Sequence, residues 1–136
     1  MKKAVAEHFE GDFISSVYVL IPQFEGIVKD YLGTCGQSQP GGFVDCAREL
    51  KRLILARKLL MFPCSVLDLI FDYLENSLIW KHTSTISDPS NQVNRHGILH
   101  GVFTKFEAKG ISLKYLIHLD SLAFVVLHDR IVTGRL

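Results

Sequence analysis

The 136-residue chain contains no apolar run long enough to cross a membrane. Its most apolar late stretch, "SLAFVVL", covers about a third of a span before "HDR" restores charge. The first residues, "MKKAVAEHFEGDF", carry two lysines, but Glu7, His8 and Glu10 interrupt the apolar core a secretion signal requires. The expectation is a cytoplasmic protein with no membrane partner. Cysteine is scarce too: Cys35, Cys46 and Cys64 are odd in number, widely spaced and form no C-x-x-C. That excludes a disulfide framework and a cysteine-rich zinc site, and leaves reduced, mostly buried thiols. Charge of one sign is missing as well. Lys+Arg 15 against Asp+Glu 14 gives a net +1, so any affinity for an anionic polymer must come from a local patch. No internal repeat and no low-complexity tract is present.

The composition that remains, 48% hydrophobic with nine Phe against 21% charged, belongs to a folded globular chain. The length fits one domain spanning residues 1–136, with a core over about residues 12–130. Between residues 13 and 32 the apolar positions Phe13, Val17, Leu20, Ile21, Phe24, Val28 and Tyr31 recur in helical steps. Pro22 inside this run should bend or locally break the helix. Glu25 falls within the apolar arc, where a carboxylate needs a partner. "GTCGQSQPGG" reads as a loop. "FVDCARELKRLILARKLLMF" reads as a second helix, with Asp45 as its cap and Pro63 at its end. "SVLDLIFDYLENSLIW" gives a third, opened by Ser65, with Val66, Leu67, Ile70, Phe71, Leu74 and Leu78 in register.

The polar stretch "KHTSTISDPSNQ" ends with Ser87, Asp88 and Pro89, a helix start. The short helix it opens closes at His100, with Gly101 in the left-handed position. After "VFTKFEAKG", residues 112–126 repeat the helical pattern through Leu113, Leu116, Ile117, Leu119, Leu122 and Phe124. Every long segment is helical, so the fold class expected is all-α, a four-to-five-helix up-and-down bundle.

The chemistry concentrates in "NRHGILHG", residues 94–101. Arg95 precedes His100 by five positions, and His96 and His100 share a helix face one turn apart. One reading pairs a guanidinium that forks onto phosphate oxygens with an imidazole that moves protons near neutral pH. That is the equipment for metal-free RNA cleavage, provided a second copy supplies a second proton-transfer group. The helix-end carbonyls favour the imidazolium form of His100 while Arg95 opposes it, so the two effects compete. Another reading is a metal held by His96 and His100, with Asp88, His82, His118 or Asp120 as further ligands. The glutamate of H-E-x-x-H is absent. In a third reading Asn94, Arg95 and His96 merely cap and solvate a helix anchored by Ile98 and Leu99.

The arrangement of Arg95, His96 and His100, with Gly101 trailing, resembles the motif of the HEPN superfamily. There an arginine, often followed by Asn, Asp or His, precedes a histidine by four to six intervening residues. "LIPQFEGIVKDYL", with Pro22, Glu25 and Gly26, resembles the upstream segment of bacterial HEPN-like domains. The resemblance covers most of the chain. It departs from the commoner pattern in having His96 after the arginine, with an asparagine preceding instead, at Asn94. What it implies is an HEPN-like bundle acting as a homodimeric, metal-independent endoribonuclease on single-stranded RNA or tRNA. Such proteins serve in toxin or anti-phage defence settings, with an antitoxin or other protein as partner. Arg95 and His100 would be catalytic and His96 an assisting polar residue, with no metal and no cofactor. Some members keep the fold without activity, so the alternative is a non-catalytic dimerisation or nucleotide-binding module.

Two features outside the motif complete the expectations. Glu25, together with Asn94, would orient Arg95 or His100 from behind, or else Glu25 reaches water past Lys29. Arg48, Lys51 and Arg52, within the basic run that ends at Lys58, would guide RNA backbone or form a solvated face with Asp45 and Glu49 interleaved.

Overall fold

The computed structural model describes residues 1–37, 39, 41–57, 64–76 and 108–134, with the backbone alone at 64 and 108. Among these residues there are five α-helices and no strand: α1 Lys2–Phe9, α2 Phe13–Thr34, α3 Phe43–Ala56, α4 Cys64–Asn76 and α5 Ala108–Val132. The all-α bundle expected from the sequence is the fold observed. Helix α2 packs on α3, α3 on α4, α4 on α5 and α5 back on α2, while α1 lies against α2 and α5.

Helix α1 was not anticipated. Its end and the start of α2 are written in two residues. Gly11 takes a left-handed φ of +87° and donates to the His8 carbonyl, while the Asp12 N–H reaches the Glu7 carbonyl. These two bonds close α1 in a Schellman motif. Asp12 then caps α2 by accepting from the Ser15 N–H at 3.1 Å. The hydrogen bonds from Ser15 hold the Asp12 carboxyl below its ordinary value. The same closing motif recurs at the end of α2, where Gly36 (φ +65°) donates to Gly33 and Gln37 to Leu32.

Helix α2 runs from Phe13 to Thr34 through Pro22, whose ring lies at the surface. The helix runs on past Pro22 without the local break that was one of the two outcomes expected. Its buried set, Val17, Leu20, Ile21, Phe24, Val28, Tyr31 and Leu32, follows the apolar periodicity nearly residue for residue. Phe24 is fully buried with its ring edge-on to Tyr115 at 6.2 Å, and burial of a side chain this size contributes about 2–3 kcal/mol. One continuous cluster of buried side chains draws on all five helices.

Four expectations about α3, α4 and α5 change. The N-cap of α3 is Gly42, and Asp45 sits inside the first turn, where it faces Arg48. Ser65 lies within α4 and does not precede it. Helix α5 already includes residues 108–110, expected as loop, and continues six residues past Val126. The expected inner face of α5 was also partly misplaced. Leu119 and Leu122 are buried alongside Ser112, Tyr115, Val125, Val126 and Asp129, whereas Leu113, Ile117 and Phe124 face outward. Apolar residues surround this helix, so periodicity alone could not choose its inner side.

Candidate functional site

The motif Asn94, Arg95, His96 and His100 lies outside the described residues, as do Lys58, His82, Asp88, Pro89, Ile98, Leu99 and Gly101. The surroundings that the five helices provide are described.

Glu25 does find a partner. One turn along α2, Lys29 Nζ stands 2.7 Å from Glu25 Oε1, with both side chains partly buried. The pair lies beside Cys46, a fully buried thiol on α3. Burial pushes that thiol upward, Lys29 pulls it down, and Glu25 and Asp45 raise it further. A thiol held protonated in this way is inert packing. Cys35, the other cysteine with a described side chain, is partly buried.

The three cations assigned to RNA guidance each face carboxylates. Arg48 bridges Asp45 and Glu75, both at 3.1 Å, and so ties α3 to α4. Lys51 makes a second tie to Asp68 at 3.0 Å. Arg52 pairs with Glu49 on its own helix at 2.5 Å, which lowers the Glu49 carboxyl and raises the guanidinium. Beside them an open hollow of about 650 Å³ is lined by Asp68, Asp72 and Glu75 as well as Lys51. Exposed pairs of this kind contribute little to stability each, but they set the local sign of charge. Here that sign is not basic: three cations meet four carboxylates in these pairs.

Sequence reasoning missed two buried polar networks. Asp129 of α5 is fully buried and is paired with Arg57, the residue that closes α3. The same guanidinium donates to the Tyr31 hydroxyl at 2.9 Å, and Arg130 lies over the Tyr31 ring, 5.5 Å from its centroid. Arg57 had counted only as part of the basic run and Asp129 only as the end of an apolar stretch. The available signal was Asp129 one turn beyond Val125 and three residues beyond Val126, on the inner helix stripe.

The second network joins α1, α2 and α5. Ser16 Oγ donates to the Ala4 carbonyl at 2.8 Å, and Ser112 Oγ donates to Ser16 Oγ at 2.8 Å. With each hydroxyl proton thus committed, His8 Nδ1, 2.8 Å from Ser112 Oγ, must be the donor in the third bond. The serines are fully buried, so this relay has the order of a proton path but the surroundings of a structural clamp.

A further cluster joins α4 to α5. The His118 and Tyr73 rings meet with centroids 3.6 Å apart, and Lys114 Nζ lies 5.1 Å from the Tyr73 centroid. Burial, helped by the Lys114 charge, holds His118 below its ordinary value of 6.5 and favours the neutral imidazole. Tyr115, deeper in the core, has its phenol pushed far up by burial. For metal binding, the described residues contain no group of three or more His, Cys, Asp or Glu able to hold an ion.

One helix among the described residues, α5, is long and apolar enough to cross a membrane by length and composition. The sequence expectation that no stretch reaches that length is corrected for this helix, though its inner stripe is packed into the bundle. No family model, curated protein or solved structure matches the chain.

Proposed function

We propose that the chain is a metal-independent endoribonuclease that acts as a dimer on single-stranded RNA or tRNA in the cytoplasm, in a toxin or anti-phage defence setting. The observation that carries this reading is the spacing of Arg95, His96 and His100 ahead of Gly101, which resembles the HEPN motif. The all-α bundle is the architecture that resemblance requires.

In the reaction a 2′-oxygen attacks the adjacent phosphorus as its proton passes to a base. The new O–P bond forms as the bond to the 5′-oxygen breaks, and an acid returns a proton to that leaving oxygen. His100 serves as one of these groups, and Arg95 steadies the charge on the phosphorane. A second copy of His100 serves as the other. His96 assists as a polar neighbour, and Glu25 and Asn94 orient the pair. The contribution of Arg48, Lys51 and Arg52 to RNA binding is small in this reading, because a phosphate must displace the carboxylate each already faces.

End-group analysis tests the chemistry. Incubation of the chain with a single-stranded RNA in EDTA should leave a 2′,3′-cyclic phosphate on one fragment and a 5′-hydroxyl on the other. Fragments ending in a 3′-hydroxyl would reject internal 2′-attack. The second reading is a non-catalytic dimerisation module, favoured by the ion pairing of the α3 cations. It predicts no cleavage at any protein concentration.

A further inference from the structure

Helices α2 and α5 run side by side in the same direction. Ser16 meets Ser112 near one end, Phe24 meets Tyr115 further along, and Arg130 lies over Tyr31 at the other end. Toward that second end a hollow of about 240 Å³ is lined by Ile27, Asp30, Ala123, Val126, Leu127 and Arg130. The shared direction of the helices sorts these residues by level. At about 1.5 Å per residue, Ile27 lies about 6 Å short of Tyr31 and Ala123 about 10 Å short of Arg130, whereas Asp30 and Arg130 both stand near the level of Tyr31. The hollow is therefore apolar at one end and carries one charge of each sign at the other.

Arg130 differs from its counterparts. Arg48, Arg52 and Arg57 each face a carboxylate, but Arg130 forms no ion pair among the described residues. Its guanidinium rests on the Tyr31 ring, and its Nε is buried with no hydrogen-bond partner among them. Asp30 is exposed and forms no ion pair among the described residues either, not even with Arg130 across the same hollow. Two opposite charges thus share one end of a small hollow without neutralising each other.

We infer that this hollow binds a free aliphatic α-amino acid, with its carboxylate on Arg130, its ammonium on Asp30 and its side chain against Ile27, Ala123, Val126 and Leu127. The inference goes beyond the ribonuclease reading and does not depend on it. Charge decides the class of ligand. A simple carboxylic acid would satisfy Arg130 but bring its own carboxylate beside Asp30, and a simple amine would satisfy Asp30 but meet the guanidinium. A zwitterion answers both. In an α-amino acid the two charged groups hang on one carbon, which suits charges gathered at one end, and the side chain then points toward the apolar end. A longer peptide cannot bring both of its terminal charges to the same place. Size agrees as well, because the hollow is smaller than the roughly 300–1,000 Å³ of pockets that take drug-sized molecules.

Titration of the isotope-labelled full chain with L-leucine, followed by backbone amide NMR, tests this. The expected result is saturable shifts concentrated in residues 27–31 and 123–130, with a dissociation constant of about 1 mM or tighter, the range open to so small a ligand. Leucinamide lacks the carboxylate and 4-methylpentanoate lacks the amine, and each should bind the wild-type chain at least about 10-fold more weakly. Asp30→Asn and Arg130→Gln should weaken L-leucine to a similar degree, with unchanged amide dispersion showing that each variant is folded. Asp30 is exposed and asparagine has its shape, so that variant and the two analogues decide the matter even where Arg130→Gln does not fold. No saturable shift up to about 20 mM L-leucine, shifts centred on other residues, an analogue that binds as tightly as L-leucine, or a folded Asp30→Asn that binds it as tightly as wild type would each overturn the inference.

Discussion

Arg57 and Asp129 show what a charged residue near a helix end can conceal. From the sequence, "HDR" looks like the polar close of an apolar stretch, yet Asp129 is fully buried and α5 continues past it to Val132. The partner comes from the end of α3, 72 positions earlier, which no local pattern reveals. Removing the cation would take from a buried carboxylate the guanidinium it faces. Arg57→Ala should therefore cost about 3 kcal/mol, whereas Tyr31→Phe, which removes one neutral acceptor, should cost about 1 kcal/mol. Urea denaturation of the two variants beside wild type checks the order, and equal losses would show that Asp129 does not depend on Arg57.

His118 gives a residue-scale prediction of a different kind. Its folded pKa is depressed below 6.5 by burial and by Lys114, so the unfolded chain binds the proton more readily. The stability it contributes is present above the unfolded pKa and declines as pH falls through 6.5 toward the lowered folded value. His118→Gln should flatten that decline. Urea midpoints at pH 7.5 and 5.5 measure it, and an unchanged difference between the two would locate the acid sensitivity elsewhere.

At the scale of elements, legibility depended on contrast between helix faces. Helix α2 has one apolar side and one polar side, and its buried set was readable almost position by position. Helix α5 has apolar residues on both sides, so only the packing against α2 distinguishes Leu119 and Leu122 from Ile117 and Phe124. Helix α1 escaped notice because eight residues with one buried side chain, Ala4, carry too little periodicity. Asp45 looked like a cap because its side chain suits one, but the extended backbone at Gly42 begins the helix three residues earlier.

The glycines separate two physical effects, one within α2 and one in the turn that closes it. Gly26 is helical, exposed and open at its Cβ position, so Gly26→Ala removes chain entropy from the unfolded state without a clash. It should stabilise the protein by about 0.5–1 kcal/mol. Gly36 is equally open but holds φ at +65°, so Gly36→Ala should destabilise by about 1 kcal/mol through backbone strain alone. Thermal melts of the two variants should move in opposite directions, and a shift in the same direction would refute the distinction.

For the whole molecule, the bundle and its core were legible because each long segment carried a helical period. The candidate site was legible only as a motif. Arg95, His96 and His100 stand out by residue type and spacing in one short stretch, while the networks of Arg57, Asp129 and Tyr31, and of His8, Ser112 and Ser16, are assembled from distant positions. In the proposed reaction a single copy of the motif offers one histidine, His100, for two proton transfers. A dimer would supply the second, so the proposed activity and self-association are separate measurements with a shared consequence.

The most direct test of the central claim is cleavage of a single-stranded RNA in EDTA by the full chain and by His100→Ala. The account predicts cleavage by wild type without a divalent ion, and a loss of about 100-fold or more in the folded variant. Undiminished cleavage by His100→Ala, or wild-type cleavage that appears only when a divalent metal is restored, would contradict it.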